Sequence, residues 1–334
     1  MKHALSCLRR GAIRWLLPLV AACALAAPAQ AQSVSCSASM SPVSFGTLSP
    51  FSTSDTTTSA TLNYSCNNTS NRAQQVNICF NIGDGAQSLG YFNPRRMTSG
   101  SSVLNMQLYY NGGSTIWGSN GNATVPSPPN LAFSIARNSS YSGSIPLTAK
   151  VFGGQNLAVP GTNYLDNFSG VHTSITYSFD TSTPSNCSGN ANSGAFPFQV
   201  TATVPSYCQI TTTSALNFGS QDGDNIATSA SSTLGVQCTN TTPYQIGLTP
   251  ANGNTGGQGR MLPTGTIPGN TDGVTYRLYR DSAGAQPWGS LLNSNTRSAI
   301  GSGNVDSYTV YGAITHQVVQ PDSYKDTVTV TVTY

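Results

Sequence analysis

Val328, Val330, Val332 and Tyr334 occupy every second position of the final run 327–334, and threonines fill the places between. A period of two is the spacing of a strand with one face buried and one face wet. Val171, Ile175, Tyr177 and Phe179 alternate in the same manner earlier in the chain. Shorter runs of this kind cover 62–66, 76–82, 104–110, 131–135, 147–151, 244–248, 274–278 and 308–314. β-Branched and aromatic residues fill them, and Gly, Pro, Asn and Ser separate them. No stretch beyond the first thirty residues carries a helical period. Many short, half-buried strands predict an all-β chain built as antiparallel sandwiches.

The pattern is written twice. Cys36 and Cys66 are followed, much later, by Cys208 and Cys238 at the same spacing. Ser44-Phe45-Gly46 is echoed by Asn217-Phe218-Gly219, and Leu108-Tyr109 with Trp117-Gly118 by Leu278-Tyr279 with Trp288-Gly289. Pro160, Tyr164 and Asp166 then return as Pro321, Tyr324 and Asp326. Repeats of this length predict two tandem domains of one fold, at 32–204 and 205–334. Residues 181–195 are rich in Ser, Asn and Gly and read as a loop. Phe196, Phe198, Val200, Ala202 and Val204 follow as one more alternating strand, which the second copy lacks.

Residues 1–31 read as a secretory signal peptide. Lys2, Arg9, Arg10 and Arg14 give a basic start, an apolar stretch follows, and Ala29-Gln30-Ala31 suits cleavage. The apolar stretch is shorter than a membrane span requires. Beyond it, ten Lys and Arg face eleven Asp, with no Glu at all. Such sparse charge gives no basic footprint for nucleic acid. Six cysteines remain: Cys36, Cys66, Cys79, Cys187, Cys208 and Cys238. An even count behind a secretory signal predicts disulfides. The repeated spacing favours Cys36–Cys66 and Cys208–Cys238, which leaves Cys79 with Cys187. No Cys-x-x-Cys suggests zinc or thiol redox chemistry.

These motifs carry a resemblance. The Cys…Phe-Gly…Cys openings, the run Tyr276-Arg277-Leu278-Tyr279-Arg280-Asp281, the Trp-Gly steps and the ending from Tyr324 to Tyr334 resemble the spore coat protein U domain. That family includes subunits of archaic, Csu-type chaperone–usher pili. The resemblance implies immunoglobulin-like pilin sandwiches, the C-terminal one lacking its last strand, completed by a strand from a neighbouring subunit. It further implies a secreted protein that passes through the periplasm to the cell surface and mediates attachment and biofilm formation. Its partners would be a periplasmic chaperone, an outer-membrane usher and the adjacent pilin. Here the strand with Val328, Val330, Val332 and Tyr334 is the last of the accepting domain, and a second domain simply complete at Tyr334 is the alternative. Four residues between the predicted cleavage site and Cys36 are too few to donate a strand, the polarity of a pilus tip. Phe196, Phe198, Val200, Ala202 and Val204 would complete the first domain in cis.

Catalytic readings find little support. No Gly-x-Ser-x-Gly elbow is present, and a paired-carboxylate site would have to be built from Asp alone. Asp222-Gly223-Asp224-Asn225 reads as a hairpin turn, and His172 and His316 as strand-surface residues; no metal or other cofactor is expected. Trp117 and Trp288 recur at matched positions and read as core. The loops that differ between the copies are more informative. Val125, Pro126, Pro128, Pro129 and Leu131 rank first as surface-binding residues, and Leu89, Tyr91 and Phe92 second. Each group is either a binding tip or a lid folded over the core. A simple up-and-down course puts the second group near the second domain and the first group far from it. The target would be a hydrophobic abiotic surface or a host surface, with a glycan-binding adhesin and a structural spore-coat protein as alternatives.

Overall fold

The computed structural model describes residues 33–120, 125–184, 186–187, 194–265 and 267–334. The predicted signal peptide lies outside them, as does most of the loop 185–193. Among the described residues no helix is long and apolar enough to cross a membrane.

The first half opens with β1 (Val34–Met40), β2 (Val43–Thr47), β3 (Thr56–Asn68) and β4 (Gln74–Ile82). It continues through β5 (Arg95–Ser99), β6 (Ser102–Tyr110), β7 (Thr115–Ile116) and β8 (Asn130–Ile135). β9 (Ser139–Val151), β10 (Gly161–Phe168), β11 (Thr173–Asp180) and β12 (Phe198–Val204) complete it. The second half contains β13 (Cys208–Thr213), β14 (Ile226–Cys238), β15 (Pro243–Pro250), β16 (Gln258–Pro263) and β17 (Val274–Tyr279). β18 (Arg297–Ile300), β19 (Val305–Gln317), β20 (Tyr324–Lys325) and β21 (Val328–Thr333) follow.

Each half is a sandwich of a large sheet and a three-stranded one. In the first, β1-β3-β9-β6-β5-β10-β12-β2 faces β11-β4-β8; in the second, β13-β14-β19-β17-β16-β20 faces β18-β15-β21. The alternation explains the layering. In β3, Ala60, Leu62, Tyr64 and Cys66 are buried while the residues between them are exposed. One core gathers residues from Val34 to Val204, and a separate core gathers residues from Cys208 to Val332. Disulfides join Cys36 to Cys66, Cys79 to Cys187, and Cys208 to Cys238.

The halves meet where β12 ends. Asn156 Nδ2 donates to the Gly303 carbonyl at 3.0 Å, and Asn240 Nδ2 to the Leu157 carbonyl at 2.8 Å. The Phe51 and Tyr207 rings lie 5.8 Å apart across the junction. Gly303 has φ +78°, and a Cβ there would stand 2.1 Å from the Asn156 carbonyl, so the close approach requires glycine.

Two expectations fail, one from alternation and one from the up-and-down course. Val171 does not continue the strand inward; it sits in a 3-10 turn, Gly170–His172, and is 93% exposed. Residues 83–94 also do not lie by the second half. Ala86 N donates to the Asn167 carbonyl, at the Phe168 end of β10, whereas the Gly161 end pairs with Val204 and leads into the second half. The up-and-down count fails because β8 and β9 are two strands and because the chain changes sheets between β4 and β5.

Candidate functional sites: a filled groove, an open groove and an apolar loop

In the first half β12 is inserted between two other strands. It pairs antiparallel with β10, matching Tyr164 with Ala202, Leu165 with Thr201, Asp166 with Val200 and Phe168 with Phe198. On its other side it pairs parallel with β2, Val200 beside Val43. Phe196, Phe198, Val200, Ala202 and Val204 are all buried. The Phe198 ring stacks on Phe168 at 4.7 Å, and Phe196 meets Phe80 edge-on at 6.5 Å. A buried large apolar side chain contributes about 1.5–3 kcal/mol, so this strand is a major part of the first core.

The equivalent place in the second half holds no strand among the described residues. Residues 215–219, the counterpart of β2, pair with no strand, and β20 has shrunk to two residues. Between them opens a groove of ≈ 460 Å³. Leu216, Phe218, Leu248, Met261, Val328 and Val330 line it, with Lys325 and Asp326 at its rim. Val328, Val330 and Val332 are only half-buried and Tyr334 is 54% exposed, whereas Ile175 and Tyr177 of the corresponding strand β11 are buried. The groove is thus an incompletely covered core. Asp326 Oδ2 accepts the Tyr276 hydroxyl at 2.7 Å; burial, then Asp326, pushes that hydroxyl's pKa up, so it stays a donor.

The large difference inside the first core is polar. Arg95 is fully buried. Its Nε donates to the Gly83 carbonyl at 2.7 Å and its Nη2 to the carbonyls of Ile82 and Trp117 at 3.0 and 2.7 Å. Its Nη1 donates to Gln107 Oε1, and Gln107 Nε2 donates to the Phe92 carbonyl at 3.0 Å. The Phe92 ring lies 4.1 Å from the guanidinium. Burial lowers the Arg95 pKa to about 9, against the pull of Asp166 and Asp84, so it remains charged at neutral pH. Asp166 accepts the Gln87 N–H at 2.9 Å and the Ser88 hydroxyl at 3.0 Å, yet burial still pushes it up to about 6. Asp84 contacts His172 Nδ1 at 2.9 Å and accepts the Gly90 N–H at 2.7 Å, tying the 83–94 loop to the 3-10 turn.

What this framework displays is apolar. Leu89 is 69% exposed and Tyr91 49%, the latter with the Arg96 guanidinium 3.3 Å from its ring. Val171 stands on the adjoining turn. Phe92 is half-buried under Arg95. The first-ranked group fares differently. Pro128 and Pro129 are buried, which corrects their reading as exposed tips: the Pro129 carbonyl accepts the Phe80 N–H, so this stretch extends the edge of the sheet. Leu131 lies half-buried on β8 against the first core, Val125 is half-buried, and Pro126 is exposed.

Trp117 and Trp288 are buried, and their Nε1 atoms donate to the carbonyls of Phe80 and Ile246. Asp222 caps its own turn by accepting the Asp224 N–H. His316 Nδ1 meets Asn225 Oδ1 at 2.7 Å on the surface. Among the described residues no group of three His, Cys, Asp or Glu could hold a metal ion. Sequence reasoning missed Arg95 and Gln107. The available signal was the Arg95-Arg96 pair, in a chain with so little charge, opening a strand.

A search of curated proteins found no significant match. Among solved structures, the CsuC–CsuE chaperone–tip adhesion subunit pre-assembly complex, from archaic chaperone–usher Csu pili of Acinetobacter baumannii, aligns at 17% identity. The alignment covers 90% of this chain and 100% of that one, with a TM-score of 0.48. The CupB6 tip adhesin of Pseudomonas aeruginosa aligns at 10% identity over 90% of this chain and 94% of that one, TM-score 0.38. A chaperone–tip adhesin complex of CFA/I fimbriae aligns at 12% identity over 87% and 96%, TM-score 0.31. The Spore Coat Protein U domain model matches residues 21–169 and again 195–331. Two consecutive matches over most of its length make the chain a member of the Spore Coat Protein U domain family, with the domain present twice.

Proposed function

We propose that this protein is a two-domain adhesin subunit of a chaperone–usher surface fibre, with an attachment surface on the first domain and a strand-accepting joint in the second. The observation that carries this reading is the contrast between the grooves. A groove filled by β12 in one copy and open in the other is what a subunit needs if a neighbour is to supply the missing strand. An apolar groove left empty is an aggregation hazard, so a periplasmic chaperone would hold it during transit to the outer-membrane usher, and the adjacent subunit would fill it in the fibre. The domain limits 32–204 and 205–334, with β12 completing the first domain in cis, belong to the same proposal.

For attachment, Leu89 and Tyr91 are the exposed members of the second-ranked group, Val171 joins them on the adjoining turn, and Pro126 is the exposed member of the first-ranked group. Burying three such groups against an apolar surface gives about 1.5–3 kcal/mol each before association costs, so single contacts are weak and many fibres supply avidity. The expected target is a hydrophobic abiotic surface, where binding leads to biofilm formation. Cells lacking this protein should lose attachment to polystyrene. Complementation with Leu89→Ser, Tyr91→Ser and Val171→Ser together should restore fibres without restoring attachment. Full attachment by that variant would refute the loop assignment, and attachment by cells lacking the protein would refute the adhesin itself.

A further inference from the structure

The first half shows how the open groove reads its partner, because it contains the same groove with a strand in place. Tyr164, Leu165 and Asp166 correspond to Tyr324, Lys325 and Asp326 in the repeat. Their cross-strand partners on β12 are Ala202, Thr201 and Val200. Tyr164 is fully buried, its hydroxyl donates to the Val159 carbonyl at 2.8 Å, and the residue opposite it is the small, buried Ala202. Tyr324 is pinned in the same way, its hydroxyl donating to the Gln320 carbonyl at 2.7 Å. Outward on the strand, Leu165 has been replaced by the exposed Lys325, which makes no ion pair among the described residues.

Resting on the strand-accepting reading above, we infer that the groove of the second domain selects an incoming strand of one register and charge. The strand runs antiparallel to β20, with a β-branched aliphatic residue opposite Asp326. An acidic residue stands beside Lys325, and an alanine or glycine faces Tyr324. The inward positions are set by size, since overfilling a packed site forces side chains and backbone aside. The outward position is set by cross-strand charge, an effect that is modest and sensitive to salt. Just past Asp326 the two grooves part company. Val328 already belongs to the opposite sheet, paired with Pro250, while the first half continues through Phe168. The selective stretch is therefore the three positions facing Tyr324, Lys325 and Asp326.

The chain's own strand supplies the probe. A fluorescent peptide with the sequence of residues 196–204 is titrated against the full-length protein by anisotropy, beside Thr201→Glu, Thr201→Lys and Ala202→Phe versions. The glutamate peptide should bind about fivefold more tightly than the lysine peptide at low salt, and the difference should shrink in 1 M salt. In Lys325→Glu protein the order should reverse. The phenylalanine peptide should bind about tenfold or more weakly than the parent. Binding that persists with equal affinity for the glutamate and lysine peptides would overturn the register while leaving the strand-accepting reading intact. No binding by any peptide, or binding untouched by Val330→Asp in the groove wall, would overturn both.

Discussion

Apart from β12, the two copies of the domain share their main strands and their buried tryptophans, and they diverge at a buried pair of positions. Arg95 pairs with Met106 on the next strand of the first half; the corresponding pair in the second half is Gly259 with Tyr276. The Tyr276 ring occupies the space where a side chain at residue 259 would go, since a Cβ there would lie 2.1 Å from the ring. Its hydroxyl then satisfies Asp326. In the first half the guanidinium instead binds three carbonyls of two surrounding segments, and Asp166 holds the 83–94 loop. One copy spends this region on fixing a surface loop, the other on keeping a groove wall simple. The same difference runs through the filled and open grooves: the first half is closed on itself and the second is not.

The strongest break in that comparison is a charge at matched depths. Val200→Asp places an unpaired carboxylate in the sealed core and should destabilise the first half by about 4 kcal/mol or more. Val330→Asp, in the half-open wall, should cost only about 1 kcal/mol. Thermal unfolding of the full chain, followed by tryptophan fluorescence, separates the two; similar losses would mean that the second core is as closed as the first.

Next in size is Arg95→Met. It removes the guanidinium donor from the carbonyls of Gly83, Ile82 and Trp117, while Gln107 Oε1 keeps the Leu108 N–H, and should cost about 3 kcal/mol in the first half alone. Loss in both halves would contradict the separateness of the two cores.

A smaller effect comes from Asp166. Its folded pKa of about 6 lies above the ordinary value of 3.8, so the folded state holds a proton that the unfolded state has released between those values. Stability of the first half should therefore fall as pH rises through this window, by up to about 3 kcal/mol in all, and the contribution should be constant above it. Asp166→Asn should remove this slope when melting temperatures are compared from pH 4 to pH 7. A slope of the same size in the variant would show that other carboxylates produce it.

The smallest structural effect is expected at the loop. Leu89→Ser, Tyr91→Ser and Val171→Ser should each change stability by less than about 0.5 kcal/mol, because exposed side chains have little packing to lose. A loss above 2 kcal/mol would show that these residues cover the core instead.

The fold was legible because strands write themselves as alternation, and the repeat marked where one sandwich gave way to the next. Short strands such as β5, β18 and β20 carried too few residues to show a period. Val171 misled because an apolar residue four places before Ile175 fits the strand period, whatever the backbone does between them. Pro128 and Pro129 misled because prolines in sequence look like an exposed stiff loop, while their burial depends on which strand edge they lie along. Arg95 was invisible for a related reason. An Arg-Arg pair opening a strand reads as solvated, and only the assembled carbonyls of other segments make the burial of Arg95 tolerable. The open groove is a relation between strands far apart in sequence, so no local pattern encodes it.

The central claim, that the second domain waits for a strand that the first already has, is tested most directly by amide hydrogen exchange on the full-length protein. Alone, residues 215–219 and 324–327 should exchange at least about 100-fold faster than β2 and β10 of the first half. Saturation with the 196–204 peptide should then slow them toward the first-half rates. Equal protection of the two regions in the protein alone would contradict the claim.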